Sequence, residues 1–214
     1  MGVDAAGTER ERVKAARRGA GGPADSTMKW FPLRKSSEEL LAVSMAGIKL
    51  GDRLLVVGCG DPILIARLAV KTGLTGRALA VDEQEKVVTA AEEIAAREGA
   101  LIETATAPWS ALPLEAASFD VAIVRDVLPH LDADVRSGCV REVLRVLRPG
   151  GRCLVIDGKG RTGLAAVARG ASGATDYAAA GGPVRTLTAQ GFKASRMLAE
   201  REGLVFAEAV KPNQ

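Results

Sequence analysis

Two patterns of hydrophobic and polar positions alternate along the chain between residues 36 and 157. Short, almost wholly apolar runs are typical of strands that are buried on both faces of a parallel sheet. Longer runs with apolar positions at helical spacing are typical of helices that pack on such a sheet. The predicted strands are 53–57, 77–82, 101–106, 119–124 and 152–157. The predicted helices are 36–48, 61–72, 84–98 and a segment after Asp134 that ends at Arg148–Gly151.

This alternation predicts an α/β fold with a doubly wound, parallel sheet, because right-handed crossovers place helices on both faces. Near the C-terminus, the arms 191–200 and 204–210 flank Arg201-Glu202-Gly203, which has the length of a hairpin connection. We predict a hairpin, although Ala, Met, Leu and Glu in the first arm also favour a helix. The stretch 158–182 is rich in Gly and Ala and receives no assignment.

The stretch Gly58-Cys59-Gly60-Asp61-Pro62 separates the first predicted strand from the helix that follows it. Glycines at 58 and 60 leave room for a ligand to approach the backbone, where a side chain would collide. An aspartate N-cap followed by proline at the first helical position is typical of a helix start. The amides of that helix N-terminus face the crevice in which open α/β sheets bind their ligands. We therefore predict a binding site at this turn.

Composition narrows the classes of partner and compartment. With 214 residues and 47% hydrophobic content, the chain can bury one sizeable core. A net charge of +3 and 3% aromatic residues give no basis for expecting a nucleic-acid partner. The three cysteines do not resemble a disulfide framework and favour a reducing cytoplasm. We expect no transmembrane segment, no signal peptide and no metal site.

Several short motifs occur in a fixed order over roughly residues 36–210. They are Val57–Gly60, Ala80–Asp82, Leu112-Pro113, Ser118–Asp120, Val127–Leu131, Leu147–Gly151 and Gly191-Phe192. Together they resemble the class I S-adenosylmethionine-dependent methyltransferases, and most of all the small-molecule branch (methyltransferase type 11 domain) that contains the ubiquinone/menaquinone C-methyltransferases. The resemblance implies a Rossmann-like, mostly parallel seven-stranded sheet whose last strand, from the C-terminal hairpin, is antiparallel. It also implies S-adenosylmethionine as cofactor and a small molecule as methyl acceptor.

The resemblance assigns cofactor-binding roles to particular residues. The loop Gly58-Cys59-Gly60 would lie against the amino-acid and ribose parts of the cofactor. Asp82 would accept hydrogen bonds from the ribose hydroxyls, and its structural alternative is a cap for the helix at 84. Trp109, in the loop 107–110, would contact the adenine ring. Arg125 would contact the methionine part, chiefly through its backbone.

Catalytic side chains are harder to assign, because methyl transfer needs mainly alignment of donor and acceptor. His130 is the only histidine and a candidate general base, although a structural role is favoured. Asp126 is a second candidate, with an N-cap or a solvated loop acid as its alternative. Tyr177, the only tyrosine, falls in the segment that the family uses to shape its substrate pocket.

The domain organisation follows from the same motifs. Residues 1–28 are predicted to be a flexible tail, and residues 29–214 a single methyltransferase-like domain. Within that domain, 29–50 would form a first helix preceded by a segment with Trp30, which either covers the crevice as a lid or packs against the sheet edge. Residues 51–157 would form the cofactor-binding core, followed by a substrate-side segment and the hairpin over 158–210.

Three residues depart from the family pattern, and they keep other functions open. Val56 replaces an acid, Pro62 replaces a third glycine, and Pro108 falls near the position of an adenine-binding aspartate. We predict a small-molecule methyltransferase, with a catalytically degenerate binding domain of the same fold as the alternative. An NAD-type oxidoreductase would also use Asp82, but Ile63 occupies the third glycine position of that fingerprint.

Overall fold

A computed structural model describes residues 37–158 and 176–213, all within one compact unit, Lys35–Gln214. The predicted tail over 1–28 and the predicted lid segment with Trp30 lie outside the described residues. The helices are α1 Ser37–Ala46, α2 Pro62–Thr72, α3 Glu85–Arg97, a 3₁₀ helix Leu128–His130, α4 Ala133–Val146 and α5 Gly182–Ala189. The strands are β1 Arg53–Val57, β2 Arg77–Asp82, β3 Glu103–Thr106, β4 Phe119–Arg125, β5 Leu147–Gly158, β6 Lys193–Arg201 and β7 Leu204–Val210.

The strands form one seven-stranded sheet in the order β3-β2-β1-β4-β5-β7-β6. Strands β1 to β5 are mutually parallel, and β7 is antiparallel to both β5 and β6. This confirms the predicted Rossmann-like sheet and its antiparallel hairpin strand. The strand order reverses between β1 and β4, and the carboxyl ends beside that point are where such sheets bind ligands.

Two hydrophobic clusters cover the sheet, because successive strand residues point to opposite faces. Leu55 and Val57 belong to the cluster that includes residues of α4 and α5, whereas Leu54 and Val56 belong to the cluster with α1, α2 and α3. All four side chains are at most 2% exposed. Each buried side chain of this size stabilises the fold by about 1.5–3 kcal/mol.

The hairpin prediction is confirmed, and the helical alternative for its first arm is wrong. Glu202 and Gly203 join β6 and β7 with φ angles of 53° and 77°. Positive φ at both central residues is the mark of the two-residue turn that matches the twist of paired strands. The backbone hydrogen bonds with β7 therefore outweigh the helix propensity of the first arm.

Other element boundaries differ from the predictions for local reasons. Helix α1 ends at Ala46, two residues before the predicted Ile48, because Gly47 adopts φ +55°. Strand β5 begins at Leu147, which pairs with Phe119, so the segment Arg148–Gly151 predicted as a helix stop lies inside the strand. Helix α5 was not predicted, and residues 176–179 are also helical. Among the described residues, no helix has the length and apolarity to span a bilayer.

Candidate cofactor and acceptor site

The two glycines of the loop after β1 serve different purposes. Gly58 has φ +100°, and a Cβ at this position would lie 2.4 Å from the Arg125 carbonyl oxygen and 2.8 Å from Val127 Cγ2. A Cβ at Gly60 would meet nothing within 4 Å. Gly58 therefore makes room for the end of β4, and Gly60 borders open space, whereas the approach of a ligand to these two backbones stays a prediction.

Asp82 ties the end of β2 to the glycine loop. Its side chain is buried, with 6% exposure, and its Oδ2 accepts a hydrogen bond of 2.8 Å from the Cys59 amide. Its Oδ1 accepts a bond of 3.1 Å from the amide of Gln84. Gln84 is the N-cap of α3, so Asp82 is not the N-cap residue itself, but its bond to the Gln84 amide holds the start of that helix, in keeping with the structural alternative. The two strand ends that the predicted site requires are in direct contact.

Each carboxylate oxygen can accept two hydrogen bonds, and each oxygen of Asp82 accepts one from a backbone amide. Its remaining positions fit the predicted bonds to two ribose hydroxyls. The Cys59 thiol is buried, and burial, together with the nearby Asp82, raises its pKa to about 12. Cys59 therefore contributes its backbone to the loop, and its thiol stays neutral.

The start of α2 agrees with the prediction. The Asp61 side chain accepts a hydrogen bond of 3.1 Å from the Leu64 amide, and Pro62 occupies the first helical position. Proline lacks an N–H, but that group would have no partner within the helix at this position. Pro62 therefore suits the helix start.

Arg125 lies at the end of β4 beside this helix start. Its guanidinium contacts Asp126 Oδ2 at 2.7 Å and the Ile156 carbonyl oxygen at 3.3 Å, and its side chain is 14% exposed. Its Nε is buried and lies 3.9 Å from Asp61 Oδ2, too far for a hydrogen bond. Within the described part of the chain, Nε has no hydrogen-bond partner. Arg125 thus presents an unused donor next to the glycine loop.

Asp126 joins the ends of β4 and β5. Its backbone has φ +51°, its amide donates to the Ile156 carbonyl at 3.0 Å, and its Oδ1 accepts from the Gly158 amide. The N-cap of α4 is Asp132, so the N-cap alternative for Asp126 is wrong. Both carboxylate oxygens of Asp126 already have partners, which fits a structural role better than that of a general base.

His130 ends the 3₁₀ helix and is exposed. The turn that carries it is held by Arg136, whose Nε donates to the Leu128 carbonyl at 2.9 Å and whose Nη2 donates to the Leu131 carbonyl at 2.5 Å. A base role for His130 stays a prediction.

Trp109 is 7% exposed and belongs to the core cluster on the α4 side of the sheet. Its backbone amide donates to Glu83 Oε1 at 3.0 Å, so Glu83 holds the loop after β3 against the end of β2. The predicted contact of the indole with adenine stays a prediction, and burial favours a packing role. Glu83 was missed, although its place directly after Asp82 at a strand end was a usable signal.

A second buried acid, at the edge of the sheet where the parallel strands have their carboxyl ends, was also not predicted from the sequence. Asp157 is 4% exposed near the end of β5, and the Tyr177 hydroxyl donates to its Oδ2 at 3.0 Å. The Tyr177 ring lies under the Arg136 guanidinium, 4.7 Å from ring centre to Cζ. Burial raises the pKa of Asp157 to about 7, against the lowering effect of the Tyr177 hydrogen bond. Tyr177 thus contacts an acid at this edge of the sheet, whereas its predicted role in shaping the substrate pocket stays a prediction.

No group of three or more His, Cys, Asp or Glu side chains within the described ranges is arranged to hold a metal ion. The three cysteines are all buried and free.

Comparisons with known proteins agree with this geometry. Residues 55–155 match the family model described as a methyltransferase domain. The 2-phytyl-1,4-beta-naphthoquinone methyltransferase of Arabidopsis thaliana is 32% identical over 125 residues, which cover 55% of this chain and 46% of that protein. The 27-O-demethylrifamycin SV methyltransferase of Amycolatopsis mediterranei is 33% identical over 115 residues, covering 53% and 41%. The matched region spans less than half the length of these relatives.

Solved structures share the fold at low sequence identity. A SAM-dependent methyltransferase from Aquifex aeolicus aligns with a TM-score of 0.67 and 20% identity over 81% of this chain and 89% of that one. The [4+2]-cyclase SpnF aligns with a TM-score of 0.60 and 19% identity, covering 83% and 80%. The fold is therefore that of the S-adenosylmethionine-dependent methyltransferases, and the resemblance predicted from the motifs is confirmed.

Proposed function

We propose that this chain, which has the fold of the S-adenosylmethionine-dependent methyltransferases, transfers a methyl group from that cofactor to a small-molecule acceptor. The observation that carries the proposal is the hydrogen bond between Asp82 Oδ2 and the Cys59 amide. It joins a bare glycine loop and a buried acid at neighbouring strand ends, beside the point where the strand order reverses.

The residues present fit the cofactor. Asp82 has free acceptor positions for ribose hydroxyls, Gly60 borders open space, and the buried Nε of Arg125 offers a donor that no described residue uses. We assign the ribose to Asp82 and the methionine part to the region of Arg125. When bound, the cofactor supplies a methyl group on a positively charged sulfur. A nucleophile can take this methyl group, and the sulfur leaves as a neutral thioether.

The protein must then hold the cofactor and the acceptor and align their reacting atoms. Aligning two reactants supplies up to about 7–11 kcal/mol of barrier reduction in favourable cases. Strand ends fixed by backbone hydrogen bonds are suited to this, because their positions do not depend on flexible side chains. The acceptor would lie near the ends of β4 and β5, where Asp126, His130 and Asp157 are the ionisable candidates.

A small acceptor is supported by the names of the relatives, which include a naphthoquinone methyltransferase and a demethylrifamycin methyltransferase. We extend that class to this chain as a ring system with an oxygen substituent. We also place the protein in the cytoplasm, in keeping with its three buried and unpaired thiols.

A second candidate is a domain that binds the cofactor but performs no methyl transfer. One observation favours it: Val56 and Pro108 provide no side-chain acceptor for the cofactor. Val56 is 2% exposed in the core. An acid there would have to enter apolar surroundings at considerable cost.

Calorimetric titration with S-adenosylmethionine, S-adenosylhomocysteine and NAD tests the proposal. We expect binding of the first two and none of NAD. A subsequent screen of small molecules for release of S-adenosylhomocysteine separates an enzyme from a binding domain. Binding of NAD alone, or of none of the three, would contradict the proposal.

A further inference from the structure

Asp157 is a buried acid with one oxygen that lacks a partner. Oδ2 accepts from Tyr177, whereas Oδ1 has no hydrogen-bond partner among the described residues. A buried acceptor left without a donor costs about 1–3 kcal/mol, so such a group in a folded protein points to a donor that the described residues do not supply.

The position of Asp157 relates it to the proposed transfer site. In the paired register of β4 and β5, Arg125 lies opposite Ile156, and Asp157 is the next residue along. Arg125 is the residue assigned to the methionine part of the cofactor. Asp157 therefore lies at the same edge of the sheet, one strand further from the glycine loop.

We propose that Asp157 is the general base of the methyl transfer, its Oδ1 taking the proton of a phenolic hydroxyl on the acceptor while Tyr177 holds Oδ2. This rests on the function proposed above. Tyr177 is a positioning residue, since its hydroxyl contacts the acid and fixes its orientation. Arg136, which lies over the Tyr177 ring, ties the same network to the turn at Leu128.

The step balances in atoms and charge. The acceptor oxygen forms a bond to the methyl carbon as the bond from that carbon to sulfur breaks and leaves its electron pair on sulfur. The hydroxyl proton moves to the ionised Asp157 and passes to water after product release. A phenol fits because its own pKa, about 10 for the tyrosine side chain, is close enough to that of a buried acid for transfer.

The surroundings of Asp157 suit a base better than those of Asp126. A general base works best when its pKa lies near the working pH, and the pKa of Asp157 is raised to about 7 by burial. Tyr177, Arg125 and Arg136 lower this value, and Asp126 raises it. Asp126 is instead held on both oxygens, by the Gly158 amide and by Arg125.

The first test is a titration that needs no turnover. In protein labelled with ¹³C at the aspartate carboxyls, we expect one signal that titrates near pH 7 and is missing in Asp157→Asn. In Tyr177→Phe, the same signal should titrate at higher pH, because the hydrogen bond that favours the ionised form is gone. A wild-type protein without such a signal would overturn the proposal.

The second test uses 1-naphthol as a phenol probe on protein saturated with S-adenosylhomocysteine. We expect Asp157→Asn to bind the cofactor product as the wild type does and to bind 1-naphthol about tenfold more weakly. Asp120→Asn is the matched control, because Asp120 is bonded to the Arg53 amide and to Arg148, near the opposite end of β4. Equal 1-naphthol affinity in wild type and Asp157→Asn, or no binding to the wild type, would overturn the proposed contact between Oδ1 and a phenolic hydroxyl.

The third test measures the turnover of phenols through the release of S-adenosylhomocysteine. Asp157→Asn should lower kcat about 100-fold or more and remove the acidic limb of the pH profile, with little change in KM. Full turnover in this variant, with intact cofactor binding, would overturn the base role and leave the methyltransferase function standing. A wild type that does not bind S-adenosylhomocysteine would overturn both.

Discussion

Two strands of the same sheet end near a buried aspartate, and the two acids are bonded in different ways. Asp82, at the end of β2, has a backbone amide on each carboxylate oxygen. Asp157, near the end of β5, has the Tyr177 hydroxyl on one oxygen and no described partner on the other. The pKa of Asp157 is raised by burial to about 7. The comparison shows that an aspartate at a strand end is a fixed acceptor when a backbone amide bonds each oxygen, and a candidate base when one oxygen lacks a partner.

The largest expected effect concerns the pH dependence of stability. An acid whose pKa rises from 3.8 to about 7 on folding holds its proton longer in the folded state than in the unfolded chain. The free energy of unfolding should therefore fall as pH rises from about 4 to 7, by up to about 4 kcal/mol for this group alone. Asp157→Asn should lack this contribution, which urea unfolding at several pH values would measure. If Asp157→Asn showed the same pH dependence of the free energy of unfolding as the wild type and Asp120→Asn, the pKa of Asp157 would not be raised on folding.

The glycine loop after β1 should show the next largest effect of substitution on stability. Gly58→Ala would put a methyl group 2.4 Å from the Arg125 carbonyl and would require a φ angle of +100° from alanine. We expect a loss of about 2–4 kcal/mol in the free energy of unfolding.

Gly60→Ala is its matched control, because a Cβ there meets no protein atom within 4 Å. It should change stability by less than about 0.5 kcal/mol. Equal losses in the two variants would refute the division of roles between these glycines.

Removing the satisfied acid should affect binding of the cofactor. Asp82→Ala removes acceptors of the Cys59 and Gln84 amides as well as the proposed ribose contacts. We expect the affinity for S-adenosylhomocysteine to fall by about 1–3 kcal/mol, measured by calorimetry on folded protein. An unchanged affinity would reject the ribose role.

The smallest expected effect is at His130. Because this side chain is exposed at the end of the 3₁₀ helix, His130→Ala should change stability by less than about 0.5 kcal/mol and leave the affinity for S-adenosylhomocysteine unchanged. Turnover of a phenol then tests the remaining role: full turnover would dispose of the base hypothesis for His130. A fall of about 100-fold would instead favour it over Asp157.

Much of the fold and part of the site were predictable from the sequence. The apolar runs gave the order of strands and helices, and the motifs gave the seven-stranded sheet that the structure has. The candidate site around Gly60, Asp61 and Asp82 was predictable because each part carries its own local signal: a helix start directly after a strand at Gly60 and Asp61, and an acid at the end of the next strand at Asp82. Helix α5 was not, because it follows a Gly- and Ala-rich stretch with no clear period.

The sequence by itself determined the features that depend on neighbouring residues: the Asp61-Pro62 helix start, the acid that ends β2 and the Glu202-Gly203 turn. Only the tertiary structure decided what each feature meets across the sheet. Gly58 is required by the end of β4, Trp109 is buried, and Asp157 receives a hydrogen bond from a residue 20 positions away. Backbone preferences act over a few residues, whereas collisions, burial and buried hydrogen bonds depend on residues that the fold brings together.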